Sequence, residues 1–376
     1  MLSRDAFRKP LIIAAAISSI AVVHVNAADT FDQRKARLVD AVAAMQIPSD
    51  LTYIRYADAA LQKAGALYEK GSATEASALV TSAMDHPNGS AMFYFYYLLF
   101  DYLKYNSQMS TALKDRIRNT LTTYGGGVSG ATENHGIMYA TAFYLAHEAW
   151  PVATFAHPSF GTGDPTGKQK LLNWMQYAVK KGYLESDCYF YDIFYQNCMA
   201  MIAEFSPDPS MANKARMTLD WMLLNSASQW LKGYRVATYE RGVNDLTNFE
   251  SPHEPGMTTI ACWLYFGGAD NMALPLDNTY SSAPLGKAIL NAVSTYRMPA
   301  IIEKIATDRA APFYHKETHV KDGGALGAAR AWYRSSYITP DYGIAGEKDL
   351  AGNSTAGFAD ALIRWQIKWV SDSTKS

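Results

Sequence analysis

The stretch SAMFYFYYLLFDYLKY, residues 90–105, decides the fold class. Its apolar side chains run nearly all the way round a helix, and Asp101 and Lys104 are its only charges. A surface helix shows one apolar stripe, so a helix without a polar face has to be buried on several sides. Helical periodicity continues outward in both directions. It predicts further helices near 32–45, 51–69, 73–84, 110–123, 136–149, 167–181, 191–204, 210–226, 256–266, 285–297 and 355–371. Between them falls turn chemistry: Pro87-Asn88-Gly89, Gly125-Gly126-Gly127, the 158–167 loop, Pro207-Asp208-Pro209 and the 252–256 segment. Strand-like alternation is confined to Gly233–Thr238 and Ala311–His315. No composition break divides the chain after residue 27, so the reading is a single all-α domain, residues 28–376. Helical hairpins packed in series can close on themselves, which gives an (α/α) toroid, an incomplete barrel of about six or seven hairpins. No fixed repeat favours a straight solenoid.

The first 27 residues read as a signal peptide. Arg4, Arg8 and Lys9 precede an apolar run from Leu11 to Val25, and Val25-Asn26-Ala27 fits a cleavage site. The expected destination is the periplasm or the exterior, without stable membrane insertion. The 376-residue chain has a formal charge of −1 and no basic stripe, which argues against nucleic acid. Charged residues are only 18%, while aromatics reach 13%, with 25 Tyr. That excess suits either a sugar-binding surface or a large helical core with hydroxyls at its rim. Cys188 and Cys198 can pair in an oxidising compartment; three buried thiols are the alternative. His315 and His319 have the spacing of two metal ligands on a helix, but no Glu directly follows His315 and the surroundings do not read as a helix, so the segment reads as an ordinary polar loop. No cofactor and no metal is expected.

Several segments carry candidate chemistry. Thr132-Glu133-Asn134-His135 directly precedes a helix, where unpaired N–H groups favour an anion. Asn134 and His135 there suit a carboxylate, with Glu133 beside them and Tyr139 one turn on from His135; a plain capped helix start is the alternative. In the 234–241 segment, Arg235 and Arg241 flank Tyr239, and a nearby Arg favours a phenolate that can move protons; a solvated loop with one ion pair is the alternative. Residues 183–195 hold Tyr191 and Tyr195 four apart, with Glu185 and Asp187 just before them: a sugar platform edged by carboxylates, or a core stripe. His253 and Glu254 precede another helix and suit substrate orientation or acid–base work, a plain turn with a capped helix start being the alternative, and Tyr337 sits in a polar aromatic loop, residues 333–342. Rim loops of a toroid would bring all of these together.

Three of these stretches carry a resemblance: TENHGIMYATAFYL (132–145), GYLESDCYFYD (182–192) and PDPSMANKARMTLDWMLLN (207–225). Together they resemble secreted helical-toroid proteins similar to polysaccharide lyases of the alginate, glucuronan and heparinase-like type, over residues 85–345. The resemblance implies β-elimination on an acidic, uronic-acid polysaccharide. It implies that Asn134 and His135 neutralise the uronate carboxylate, with a Tyr or His moving protons. Tyr239 or Tyr191 is the proton carrier, assisted by Arg241 or Arg235. Glu133, Tyr139, Tyr195, His253, Glu254 and Tyr337 then fall to substrate binding. A glycoside hydrolase on the same scaffold needs two carboxylates across the bond, and Glu133, Glu185, Asp187, Glu240 and Glu254 supply candidates. A non-catalytic glycan-binding protein is the third reading.

Overall fold

A computed structural model describes residues 29–47, 51, 56–86, 91–130, 132–183, 186–188, 190–238, 256–267, 284–321, 330–349 and 365–369. The signal-peptide segment lies outside these. Twelve α-helices fall among the described residues. They are α1 Phe31–Ala43, α2 Tyr56–Glu69, α3 Ala73–Asp85, α4 Ala91–Tyr105, α5 Thr111–Thr122, α6 Glu133–Ala149, α7 Lys168–Lys181, α8 Asp192–Phe205, α9 Pro209–Ser228, α10 Met257–Phe266, α11 Pro284–Val293 and α12 Ala300–Thr307. The last of these was not anticipated; it is a short helix behind Pro299. None is long and apolar enough to cross a membrane.

Burial sorts the helices into two kinds. The stretch that opened the sequence reading is α4, buried continuously from Met92 to Asp101. α6 and α8 are likewise buried over most of their circumference. α5 and α7 bury single stripes instead: Leu113, Ile117 and Leu121 in one, Leu171, Trp174, Met175 and Ala178 in the other. Contacts explain the difference. α2 packs on α4, α4 on α6, α6 on α8, and α8 on α11, which packs back on α2. α3, α5, α7 and α9 each cover one member of that series from a single side. A buried ion pair, Lys287 to Asp58, ties α11 to α2. Helix starts are fixed locally: Thr30 and Gln33 form a capping box on α1, Ser110 caps α5, and Asp208 with Pro209 opens α9.

The all-α expectation needs correction. After α12 the chain forms an antiparallel meander, β3 Phe313–Lys321, β4 Arg330–Ile338, β5 Tyr342–Asp349 and β6 Trp365–Trp369, in the order β3-β4-β5-β6. Residues 365–369, expected within a helix, are strand; residues 355–364 of that expectation lie outside the described residues. Tyr333–Ile338, expected in a loop, is the second half of β4. A smaller hairpin pairs β1 Trp230–Leu231 with β2 Tyr234–Arg235. Its turn uses Lys232 and Gly233, both at positive φ, which matches the twist of a two-residue hairpin. One face of the large sheet lies on that hairpin: Leu231, Val236, Ile338 and Ala345 form a small separate core. The closeness of this contact needs Gly343, where a Cβ would come within 2.6 Å of Val236. Cys188, Cys198 and Cys262 remain thiols, all buried, with no disulfide between them.

Candidate active site

The chain reaches the start of α6 through Gly130, whose φ is +69°. A Cβ there would come within 2.6 Å of the Gly136 backbone nitrogen, so glycine lets the loop lie directly on the first turn. The α6 N-terminus has no side-chain cap. Thr132 occupies the N-cap, but its hydroxyl donates to Asn134 Oδ1. Asn134 is wholly buried, and its Nδ2 has no hydrogen-bond partner. Glu133 accepts from Trp174 Nε1 and from the Tyr195 hydroxyl, both at 3.1 Å. Those two rings stack at 5.1 Å. His135 is half-buried and stands edge-on to Phe93, 5.4 Å between ring centres. Phe93 meets Phe194, and Phe194 meets Tyr191, so His135 and Tyr191 share one aromatic wall. Successive helix residues are turned by ~100°. Glu133 therefore faces α7 and α8, His135 faces α4, and Asn134 points between them. The helix start thus offers backbone N–H groups, an amide nitrogen and an imidazole.

A second cluster joins the helices to the sheet, and most of it was not anticipated. Asp187, at φ +59°, sits at its centre. It accepts from Asn225 Nδ2 at 3.1 Å, Gln229 Nε2 at 3.3 Å, Arg235 Nη2 at 2.9 Å and Arg334 Nη1 at 3.1 Å. Asp192 accepts from the Tyr183 hydroxyl and lies 3.6 Å from Arg235. From the sheet, Glu317 stands between His315 at 3.6 Å and His319 at 3.1 Å. Glu347 accepts from Arg334 Nε at 3.0 Å. Ser228 bonds His315 Nδ1 at 2.9 Å, yet its hydroxyl donates to the Asn225 carbonyl at 2.7 Å, which does not leave it poised as a nucleophile. The two clusters are linked: Tyr195 packs on Tyr183, 5.0 Å between ring centres.

Four carboxyl groups here face two guanidinium groups, and their proton affinities diverge. Burial lifts the Asp192 carboxyl to about 7 against the pull of Arg235. Burial also lifts Asp187, with Glu317 adding to the effect. Burial would lift Glu317 as well, but His319, His315 and Arg334 outweigh it and hold it well below the carboxylate range. Burial lowers His315, but Glu317 more than reverses this, so its affinity is raised. The consequences have a sign. Raised groups favour the fold below their unfolded values and lose that contribution as pH climbs through the folded value. Asp192, Asp187 and His315 act this way. Glu317 acts oppositely, but its contribution is lost only in strong acid. The melting temperature is therefore expected to fall between pH 5 and pH 8.5, by roughly 5 °C if a few kcal/mol are involved. Calorimetry across that range checks it; a flat or rising profile would contradict the cluster's charge balance.

The structure brings together Glu133, Asn134, His135, Tyr191 and Tyr195. Arg235 is wholly buried and held by Asp187 and Asp192, so it faces no ligand directly. Tyr139 is in the core, its hydroxyl 3.2 Å from that of Tyr124 and its proton affinity raised by burial. Tyr337 lies on the sheet face opposite Arg334 and Ser336, away from the α6 start. Tyr239, Arg241, His253 and Glu254, like Glu185 and Glu240, lie outside the described residues. His315 and His319 are on a strand, not a helix, with Glu317 between them; among the described residues no group of three or more His, Cys, Asp or Glu is placed to hold a metal ion. Sequence reasoning missed Trp174, Tyr183, Asp192, Glu317, Arg334 and Glu347. Only Asp192 had a local signal, an acidic residue opening a helix beside Tyr191. Compared with models of known protein families, with curated proteins and with solved structures, the chain matched none.

Proposed function

We propose that this protein is an exported polysaccharide lyase that cleaves a uronic-acid polymer, alginate-like or glucuronan-like, by β-elimination. The observation that carries the reading is the start of α6: an uncapped helix N-terminus with a buried, unpartnered amide nitrogen at Asn134 and His135 beside it. That set of donors suits one planar anion. A uronate carboxylate held there loses charge, which makes the C5 proton easier to remove and stabilises the enolate-like transition state. The C5–H electrons form the C4–C5 double bond, the C4–O bond breaks, and the leaving oxygen takes a proton. Tyr191, linked to His135 through Phe93 and Phe194, is one candidate proton carrier; Tyr239 with Arg241 is the other candidate pair. Arg235 acts indirectly, by holding Asp187 and Asp192. For the scaffold, the return of α11 onto α2 supports an (α/α) toroid with the sheet at one side.

Asp187 and Glu317 are two carboxyl groups of opposite tuning, the pattern a hydrolase needs. Asp187, however, is buried and already accepts four hydrogen bonds, which leaves no oxygen for a sugar. The test is incubation of the purified chain with alginate, glucuronan and glycosaminoglycans under ultraviolet detection. Elimination conjugates the new double bond with the carboxylate, so absorbance is expected to rise with chain cleavage. New reducing ends without that rise would establish hydrolysis instead. Polymer binding with no cleavage of any kind would leave a glycan-binding protein.

A further inference from the structure

The sheet has two faces of opposite character. Its inner face carries His315, Glu317 and Arg334; its outer face is exposed. Pairing places Tyr314, Tyr337, Ile344 and Ile367 in one row across all four strands. All four are exposed, Tyr314 at 55% and Tyr337 at 37%. The next row on that face pairs Lys316 with Ser335, Ser335 with Gly346 and Gly346 with Trp365. A Cβ on Gly346 would meet nothing within 4 Å. The row beyond has Tyr333, 49% exposed, opposite Thr318. On the two central strands Ser335 and Gly346 thus floor a trough between rows of larger side chains, with Tyr333 and Tyr337 ~13 Å apart along β4. Among the described side chains of this face Lys316 is the one charge, packed over Tyr314 at 4.9 Å, because the acidic side chains Glu317 and Glu347 face inward.

We propose that this trough binds an anionic polysaccharide strand, as a second site separate from the start of α6. Tyrosine faces and hydroxyls match the apolar faces and hydroxyl edges of pyranose rings, and Lys316 gives the surface the sign an acidic glycan requires. A purely hydrophobic protein contact would not favour hydroxyl-bearing rings around a Ser and Gly floor. The choice of an acidic glycan rests on the lyase reading, while the binding itself does not depend on turnover.

The test is affinity electrophoresis of the whole mature chain through gels containing alginate or, as the neutral comparison, dextran. Parent protein is expected to be retarded by alginate only. Tyr314→Ala with Tyr337→Ala should weaken binding about tenfold, or ~1.4 kcal/mol. Lys316→Gln should weaken it less and blunt its salt dependence. Tyr314→Phe with Tyr337→Phe should retain most of it. These side chains are exposed, so helical signal and melting temperature should not move. Equal retardation of parent and alanine variants would overturn the proposal. So would absence of retardation, equal retention in dextran, or a dimer that these substitutions dissociate. The two readings fail separately: alginate bound through the tyrosines without alkene formation sinks the lyase alone, and alkene formation with unchanged retention in the variants sinks this site alone.

Discussion

Asp187→Ala is expected to destabilise the protein by ~3–5 kcal/mol, the typical cost of breaking a buried ion pair from one side. Asp187 is the carboxylate between Arg235 and Arg334, each at most 3% exposed, the first from the small hairpin and the second from the sheet. Alanine leaves both guanidinium groups deep in the protein with their compensation reduced to Asp192 for Arg235 and to Glu347 and Glu317 for Arg334. It also strips the acceptor from Asn225 and Gln229, and it keeps the left-handed backbone that Asp tolerates better than Ala. A surface comparator sets the scale: Asp208→Ala removes the cap of α9 and should cost ~1 kcal/mol. Denaturant melts of the two variants check the difference. If Asp187→Ala unfolded at the parent midpoint, the junction would not be holding sheet to helices.

Asn134→Ala and His135→Ala are each expected to lower turnover of a uronate polymer by ~10²–10³, the loss that follows removal of one transition-state donor. On the lyase reading the effect should fall on kcat more than on KM, because the charge that Asn134 and His135 would stabilise grows during proton removal. Asn134 also accepts from Thr132, so a stability loss of ~1 kcal/mol is expected with it. That loss is too small to unfold the chain, so a structural cap and a catalytic donor differ in the rate. Parent-like turnover in both variants would remove the carboxylate from the start of α6. Loss of activity confined to Asp187 or Glu317 variants, measured where they remain folded, would return the hydrolase reading.

The helices were legible because burial writes itself as apolar spacing. Residues 90–105 announced α4, and Leu113, Ile117 and Leu121 announced the single stripe of α5. Of the large sheet only the start of β3, inside the Ala311–His315 alternation, was legible; the rest was not, for the same reason inverted. Its inner face carries His315, Glu317, His319, Arg334 and Ser336, so polar residues alternate with Tyr, Lys and Thr, and no apolar period of two survives. Asn134 and His135 stood out because their setting is local, a glycine-rich approach and a helix start. The junction cluster draws on residues from Tyr183 to Glu347, and no spacing rule connects Asp187 to Arg334. Arg235 reads from sequence as a solvated loop cation; only folding shows it enclosed by two carboxylates.

The three buried thiols set how the protein survives oxidation. While folded, each thiol is buried, and burial pushes Cys198 up to about 12, so almost none of that residue is thiolate. Once unfolded, the same thiols return to ordinary reactivity, and an odd number leaves one available for another chain. In air, an unfolding event then ends in mispaired or cross-linked material that cannot refold. Working lifetime is accordingly a matter of how slowly the helical body opens rather than of its equilibrium constant, and a reducing agent is expected to make thermal scans reversible that are otherwise one-way.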